Sequence, residues 1–87
     1  LDWGLLNGVH DDDAVLGAAQ AVAETLATGA TRSFGSVKKL LNDSFTNTLE
    51  TQMELEARGI AAAAQTRDGA AGIEAFVNKK KADFTGE

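Results

Sequence analysis

Residues 65–87 read Gln-Thr-Arg-Asp-Gly-Ala-Ala-Gly-Ile-Glu-Ala-Phe-Val-Asn-Lys-Lys-Lys-Ala-Asp-Phe-Thr-Gly-Glu, and this stretch decides what the chain builds. Thr66 offers a capping hydroxyl and Asp68 a negative charge in the first turn, both suited to the unpaired N–H groups at the positive end of a helix. Ala70, Ile73 and Val77 then share a face that Phe76 widens. The helix is expected to fray near Lys80, where three consecutive lysines meet the negative end of its dipole, leaving Ala82 to Glu87 as a tail.

Earlier segments read as helices that hold this one in place. A third helix, about Asn47 to Gln65, starts at a cap within Thr46–Thr48, with Glu50 in a capping-box position. Its apolar stripe runs through Leu49, Met53, Ile60 and Ala64. Glu56 falls inside that stripe and so needs a partner, with Arg32, Arg58 or a helix N-terminus available. A second helix is expected to be capped by Thr31, gathers Phe34, Val37, Leu40 and Leu41 on one face, and ends within Asn42–Ser44. The first follows His10-Asp11-Asp12-Asp13: Val15, Leu16, Ala19, Val22, Ala23 and Leu26 recur at helical spacing, giving a helix from about Asp12 to Thr28 with Gly29 at its end. Residues 1–10, with Leu1, Trp3, Leu5, Leu6 and Val9 around two glycines, read as the tail of a preceding element, and residues 11–87 as one helical domain. The fold class is therefore all-α, with about four helices and antiparallel neighbours joined by short loops.

The bulk composition narrows function. A chain of 87 residues is expected to bury about 60 to 65% of its unfolded surface, so its core is thin. Cysteine is absent, which fits a reducing compartment, and there is no membrane-length apolar run and no signal-peptide pattern, so the expected location is cytoplasmic and no membrane partner is expected. A net charge of -5 argues against nucleic acid. The first residue is Leu1, inside an apolar pattern, and a piece of a longer protein is expected.

No constellation of catalytic residues emerges. His10 with Asp11, Asp12 and Asp13 suits a helix start better than a metal, because adjacent residues cannot all turn toward one ion. Gly69-Ala-Ala-Gly72 lacks the strand and the lysine of a phosphate loop. Glu56 reads either as a structural anchor or as a general base in an apolar setting. Lys79, Lys80 and Lys81 read either as a solvated helix end or as point charges for a phosphate, with Phe76 and Phe84 nearby for an apolar part of the same ligand.

Taken together, Trp3-Gly-Leu-Leu-Asn-Gly-Val9, Leu55-Glu56 and the run Asp68-Gly-Ala-Ala-Gly-Ile-Glu-Ala-Phe-Val-Asn-Lys-Lys-Lys-Ala-Asp-Phe-Thr-Gly86 resemble the C-terminal part of the crotonase superfamily, the enoyl-CoA hydratases and isomerases. The resemblance spans essentially the whole chain. It implies the helical trimerisation and lid region of an enzyme of acyl-CoA and fatty acid metabolism, a lyase or isomerase. The catalytic glutamates and oxyanion hole of that family lie in a spiral core outside these residues, so no catalytic residue is expected here. Lys79 matches a basic residue that reaches the phosphates of CoA held largely by a neighbouring subunit. Ile60 matches a pocket-lining position that is aromatic in some hydratases. Phe76 and Phe84 complete the implied CoA-facing set. Ala71 stands where the family often has glutamate and Ala82 where it often has proline. Arg32-Ser-Phe-Gly35, Lys38-Lys39 and Thr46-Asn-Thr-Leu49 lean toward the phenylacetyl-CoA ring-epoxide isomerase branch. The implied partners are a homo-oligomer, a trimer or dimer of trimers, and an acyl-CoA thioester as substrate; no cofactor is implied for these residues. The alternative is an independent helical interaction module whose apolar stripes are partner surfaces.

Overall fold

The computed structural model describes residues 1–87 and contains four helices and no strand: α1 Val15–Ala27, α2 Thr31–Ser44, α3 Leu49–Ala64 and α4 Arg67–Val77. Residues 1–14 form turns and irregular backbone, with Trp3 94% exposed. α1 starts later than the acidic run suggested. The amides of Ala14 and Val15 bond the Asp11 carbonyl, so the aspartates form the turn before the helix and not its first turn. Thr31 is likewise the first helical residue of α2, and no side chain caps that helix.

The last two helices start where a hydroxyl is available. Thr48 accepts from the Thr51 amide at 3.3 Å and Thr66 from the Gly69 amide at 2.9 Å. Each such cap is worth about 1 kcal/mol. Glu50 lies at the second helical position, one short of the place from which a capping box closes, and makes no such bond.

Packing departs from expectation in one consistent way. The half-buried side of α3 is Gln52, Leu55, Gly59 and Ala63, and the half-buried side of α2 is Ser33, Ser36, Leu40 and Asp43. These two sides face each other in antiparallel fashion: Gln52 donates to the Leu40 carbonyl at 3.3 Å, whereas Ser33 and Ala63 share a groove at the other end. Gly59 brings the helices close, since a Cβ there would sit 3.4 Å from the Ser36 hydroxyl. The seam is thus built from small and polar groups around two leucines, Leu40 and Leu55. The stripes expected to make the core, Val37 and Leu41 on α2, Leu49, Met53 and Ile60 on α3, Ile73, Phe76 and Val77 on α4, all face outward. So do Val15, Leu16, Val22 and Leu26 on α1.

No apolar residue is fully buried; the single buried residue is Asp68. The accessible surface is 7495 Å², against about 4,900 Å² for a compact monomer of 9.1 kDa. Folding therefore hides roughly 43% of the unfolded surface, well below the 60 to 65% that length alone suggests. The radius of gyration is 16.4 Å where about 12 Å fits a compact chain of this length. The physical reason lies in the patterning: the apolar stripes lie mainly on the outer faces of the helices and not between them.

On α2, Lys39 pairs with Asp43 at 2.9 Å. The hydrogen bond first, and the Asp43 charge second, raise the ammonium above the ordinary lysine pKa, so this surface pairing persists at neutral pH and is lost as pH rises past that value.

Candidate functional site

The most buried polar feature is the junction between the start of α4 and the tail. Asp68, 3% exposed, accepts from the Thr85 amide at 2.7 Å through Oδ1 and from the Gly86 amide at 2.9 Å through Oδ2. Its own amide donates to the Glu87 carbonyl at 2.9 Å. Arg67 and Glu87 add an exposed ion pair at 2.6 Å. Two amides aimed at one carboxylate give short, buried hydrogen bonds, each worth about 1.5–3 kcal/mol.

From this clasp the tail runs back along α4 as an extended strap. Ala82, Phe84 and Gly86 are half-buried while Lys81, Asp83, Thr85 and Glu87 are exposed, the period of two expected of extended backbone lying on a surface. Of the half-buried small residues of α4, Ala71, Gly72 and Ala75 lie beside the strap, whereas Gly69 faces the end of α3. Phe84 rests where a Cβ on Gly72 would lie 3.5 Å from its ring. Gly86, at φ +81, approaches Thr31 at the start of α2, so the strap also touches the second helix.

The other end of α4 closes on Lys79. Its φ of 53 is left-handed, and the amides of Lys79 and Lys80 return to the Phe76 and Ala75 carbonyls at 3.2 and 2.8 Å. This is a Schellman closure with lysine in the position usually given to glycine, at a backbone cost of about 1 kcal/mol. Lys80 and Lys81 line a shallow notch with Glu74, Asn78 and Asp83; Lys79 stands outside it.

The sequence-derived candidates therefore separate. Phe84 points inward onto α4, whereas Phe76 is 86% exposed. Ile60, 72% exposed, belongs to a different feature: a cleft of about 400 Å³ between α2 and α3, lined also by Val37, Leu40, Leu41, Gln52 and Glu56. Glu56 is exposed at the cleft, and its partner is Gln52, whose side-chain amide donates to it at 3.0 Å. Neither arginine serves as the expected anchor, since Arg58 pairs with Glu54 at 2.8 Å. An i,i+4 amide on the same helix was available to satisfy the carboxylate, and an exposed stripe removed the need for more. His10 and the adjacent acids do not converge with other ligand types on a metal-sized site. Asp68 was legible only as a charge in a first turn; the Thr-Gly pair that it binds lies 17 and 18 residues further on.

A helical layer whose apolar faces point outward, finished by a basic turn and an aromatic strap, invites comparison with larger proteins. The sequence model of the enoyl-CoA hydratase/isomerase family matches residues 1–87. This chain belongs to the enoyl-CoA hydratase/isomerase family. It is 37% identical over 86 residues to the 1,2-epoxyphenylacetyl-CoA isomerase of Escherichia coli K12, covering 99% of this chain and 33% of that protein. A probable enoyl-CoA hydratase of Bacillus subtilis 168 is 33% identical over 88 residues, with 34% of its length covered. Among solved structures, an enoyl-CoA hydratase/isomerase of Mycobacterium abscessus superposes at a TM-score of 0.92 and 36% identity, with 99% of this chain and 33% of that chain covered. One from Geobacillus kaustophilus HTA426, at a TM-score of 0.88 and 22% identity, shares the fold. The chain thus spans about a third of the length of its relatives. No helix is long and apolar enough to cross a membrane.

Proposed function

We propose that residues 11–87 form the C-terminal helical region of an enoyl-CoA hydratase/isomerase family enzyme, with residues 1–10 the tail of the element before it. In this reading the helices serve subunit assembly, as a trimer or dimer of trimers, and help cover a bound acyl-CoA thioester in a cytoplasmic enzyme. The general base and the oxyanion donors belong to the rest of that fold, so these residues bind and cover and do not move protons on the substrate. The relatives include an epoxyphenylacetyl-CoA isomerase and a probable enoyl-CoA hydratase, so the reaction of the whole enzyme is read as hydration or isomerisation of the thioester. The observation that carries the proposal is the outward direction of the apolar stripes, in which Leu40 alone of the large side chains turns into the α2–α3 seam. It leaves about 2,600 Å² more surface than a compact monomer of this mass would show, an amount in the range of obligate subunit interfaces.

The assembly role is tested in the full-length parent by Ile73→Glu. A carboxylate in a covered apolar face is expected to cost about 2–3 kcal/mol and to lower both the assembled mass in sedimentation and the melting temperature. An oligomer of unchanged mass and melting point overturns it.

The ligand role rests on Lys79. Lys79→Ala is expected to weaken CoA-thioester binding by about 1 to 2 kcal/mol, more so at low salt. Lys79→Gly should lose the same affinity while gaining about 1 kcal/mol of stability, because glycine accepts the left-handed turn without strain. Calorimetric titration at low ionic strength decides: affinity unchanged in both variants removes the phosphate role.

A further inference from the structure

We propose that Asp68 is a positioning residue for the lysine turn, acting through the strap. The inference rests on the reading that Lys79 and its neighbours meet the phosphates of the thioester, and it names what holds them in place. Residues 79–85 are tethered at both ends. At one end the Schellman closure fixes Lys79 and Lys80 to α4 through the Phe76 and Ala75 carbonyls. At the other, the Asp68 carboxylate holds the Thr85 and Gly86 amides at 2.7 and 2.9 Å. Between the two tethers, Phe84 lies against Gly72, and Lys81 and Asp83 are left on the exposed side of the strap.

The tethers are unequal. The Schellman closure uses backbone alone and costs left-handed strain at Lys79. The Asp68 end is built from the one buried side chain in the molecule, and a carboxylate is the only common side chain of that size that accepts from two amides with no donor of its own. Asparagine in its place would turn an NH₂ group toward a backbone N–H. Releasing this end would let Lys81 and the strap swing about a turn then held by the Schellman bonds alone, and a phosphate would have to pay the ordering cost on binding.

The test uses the full-length parent and two substrates, the acyl-CoA thioester and the matching acyl-pantetheine thioester, which has no phosphates. Asp68→Asn is expected to raise KM for the CoA thioester about five- to tenfold, leave kcat within about twofold, and leave KM for the pantetheine thioester unchanged. Should that variant not fold, Thr85→Pro removes the Thr85 amide and hydroxyl donors from the strap side without touching α4 and is expected to give the same split. Equal loss on both substrates, or a fall in kcat alone, overturns the positioning role in favour of a structural one. A raised KM in Lys79→Ala with none in Asp68→Asn overturns the clasp alone. No effect in either variant overturns the phosphate reading together with it.

Discussion

Produced alone, the 87-residue chain is expected to show no cooperative unfolding transition and a helical signal well below that of its folded structure. Its helices run from 11 to 16 residues, a length at which isolated helices are marginal in water. What normally stabilises such helices is burial of an apolar face, and here no apolar side chain is buried. The α2–α3 seam offers small groups, two half-buried leucines and one side-chain hydrogen bond, from Gln52 to the Leu40 carbonyl, worth about 1 kcal/mol net, against about 1–2 kcal/mol of backbone entropy for every residue ordered. Circular dichroism on heating, with sedimentation to fix the mass, checks this. A sharp two-state melt from a 9.1 kDa monomer would overturn it and would favour the independent interaction module.

In the full-length parent, Gly69→Ala is expected to be the most damaging addition of a single methyl group in this region. A Cβ on Gly69 would fall directly on the Ala63 carbonyl oxygen, with the Ala63 carbonyl carbon and the Ala64 Cα close behind. These are backbone atoms of the α3–α4 corner and cannot rotate aside. Overpacking of this kind costs about 3 kcal/mol, the upper end of its usual range, and here it would also shift Asp68 away from the strap. Gly72→Ala is the internal control. Its Cβ would meet the Phe84 ring at 3.5 Å, an ordinary contact, and alanine gains about 1 kcal/mol of helix propensity over glycine. Thermal melts of the two variants should therefore move in opposite directions or differ by several degrees. Equal small shifts would mean that the corner relaxes more readily than its geometry indicates.

Helix number, order and most boundaries were legible because they depend on local signals: period, caps at Thr48 and Thr66, and the breaks at Gly29 and Gln65. The ends of α1 and α2 were less so, since the aspartates and Thr31 offered caps that the backbone does not use. The direction of packing was not legible. Periodicity in Ile60, Ile73 or Val37 says that a face is apolar and is silent on whether its partner belongs to the same chain. Length misled for the same reason, as the burial expected of 87 residues presumes a closed domain. Of the candidate site, Lys79 was visible as charge, and its left-handed backbone was not, because lysine carries no propensity for it. Asp68 was visible as a first-turn acid. Its partners are two backbone amides far along the chain, and backbone amides leave no mark in a sequence.

The outward apolar stripes carry a thermodynamic consequence of their own. A chain that leaves such faces uncovered has a folding equilibrium governed by mass action: whatever covers them adds stability that grows as the logarithm of its concentration. The stability of these helices is then a property of occupancy and not of the chain, and a copy left without its complement exposes the surfaces that chaperones and proteases recognise. In this sense Asp68 and its strap are the part of the fold that the chain can complete by itself.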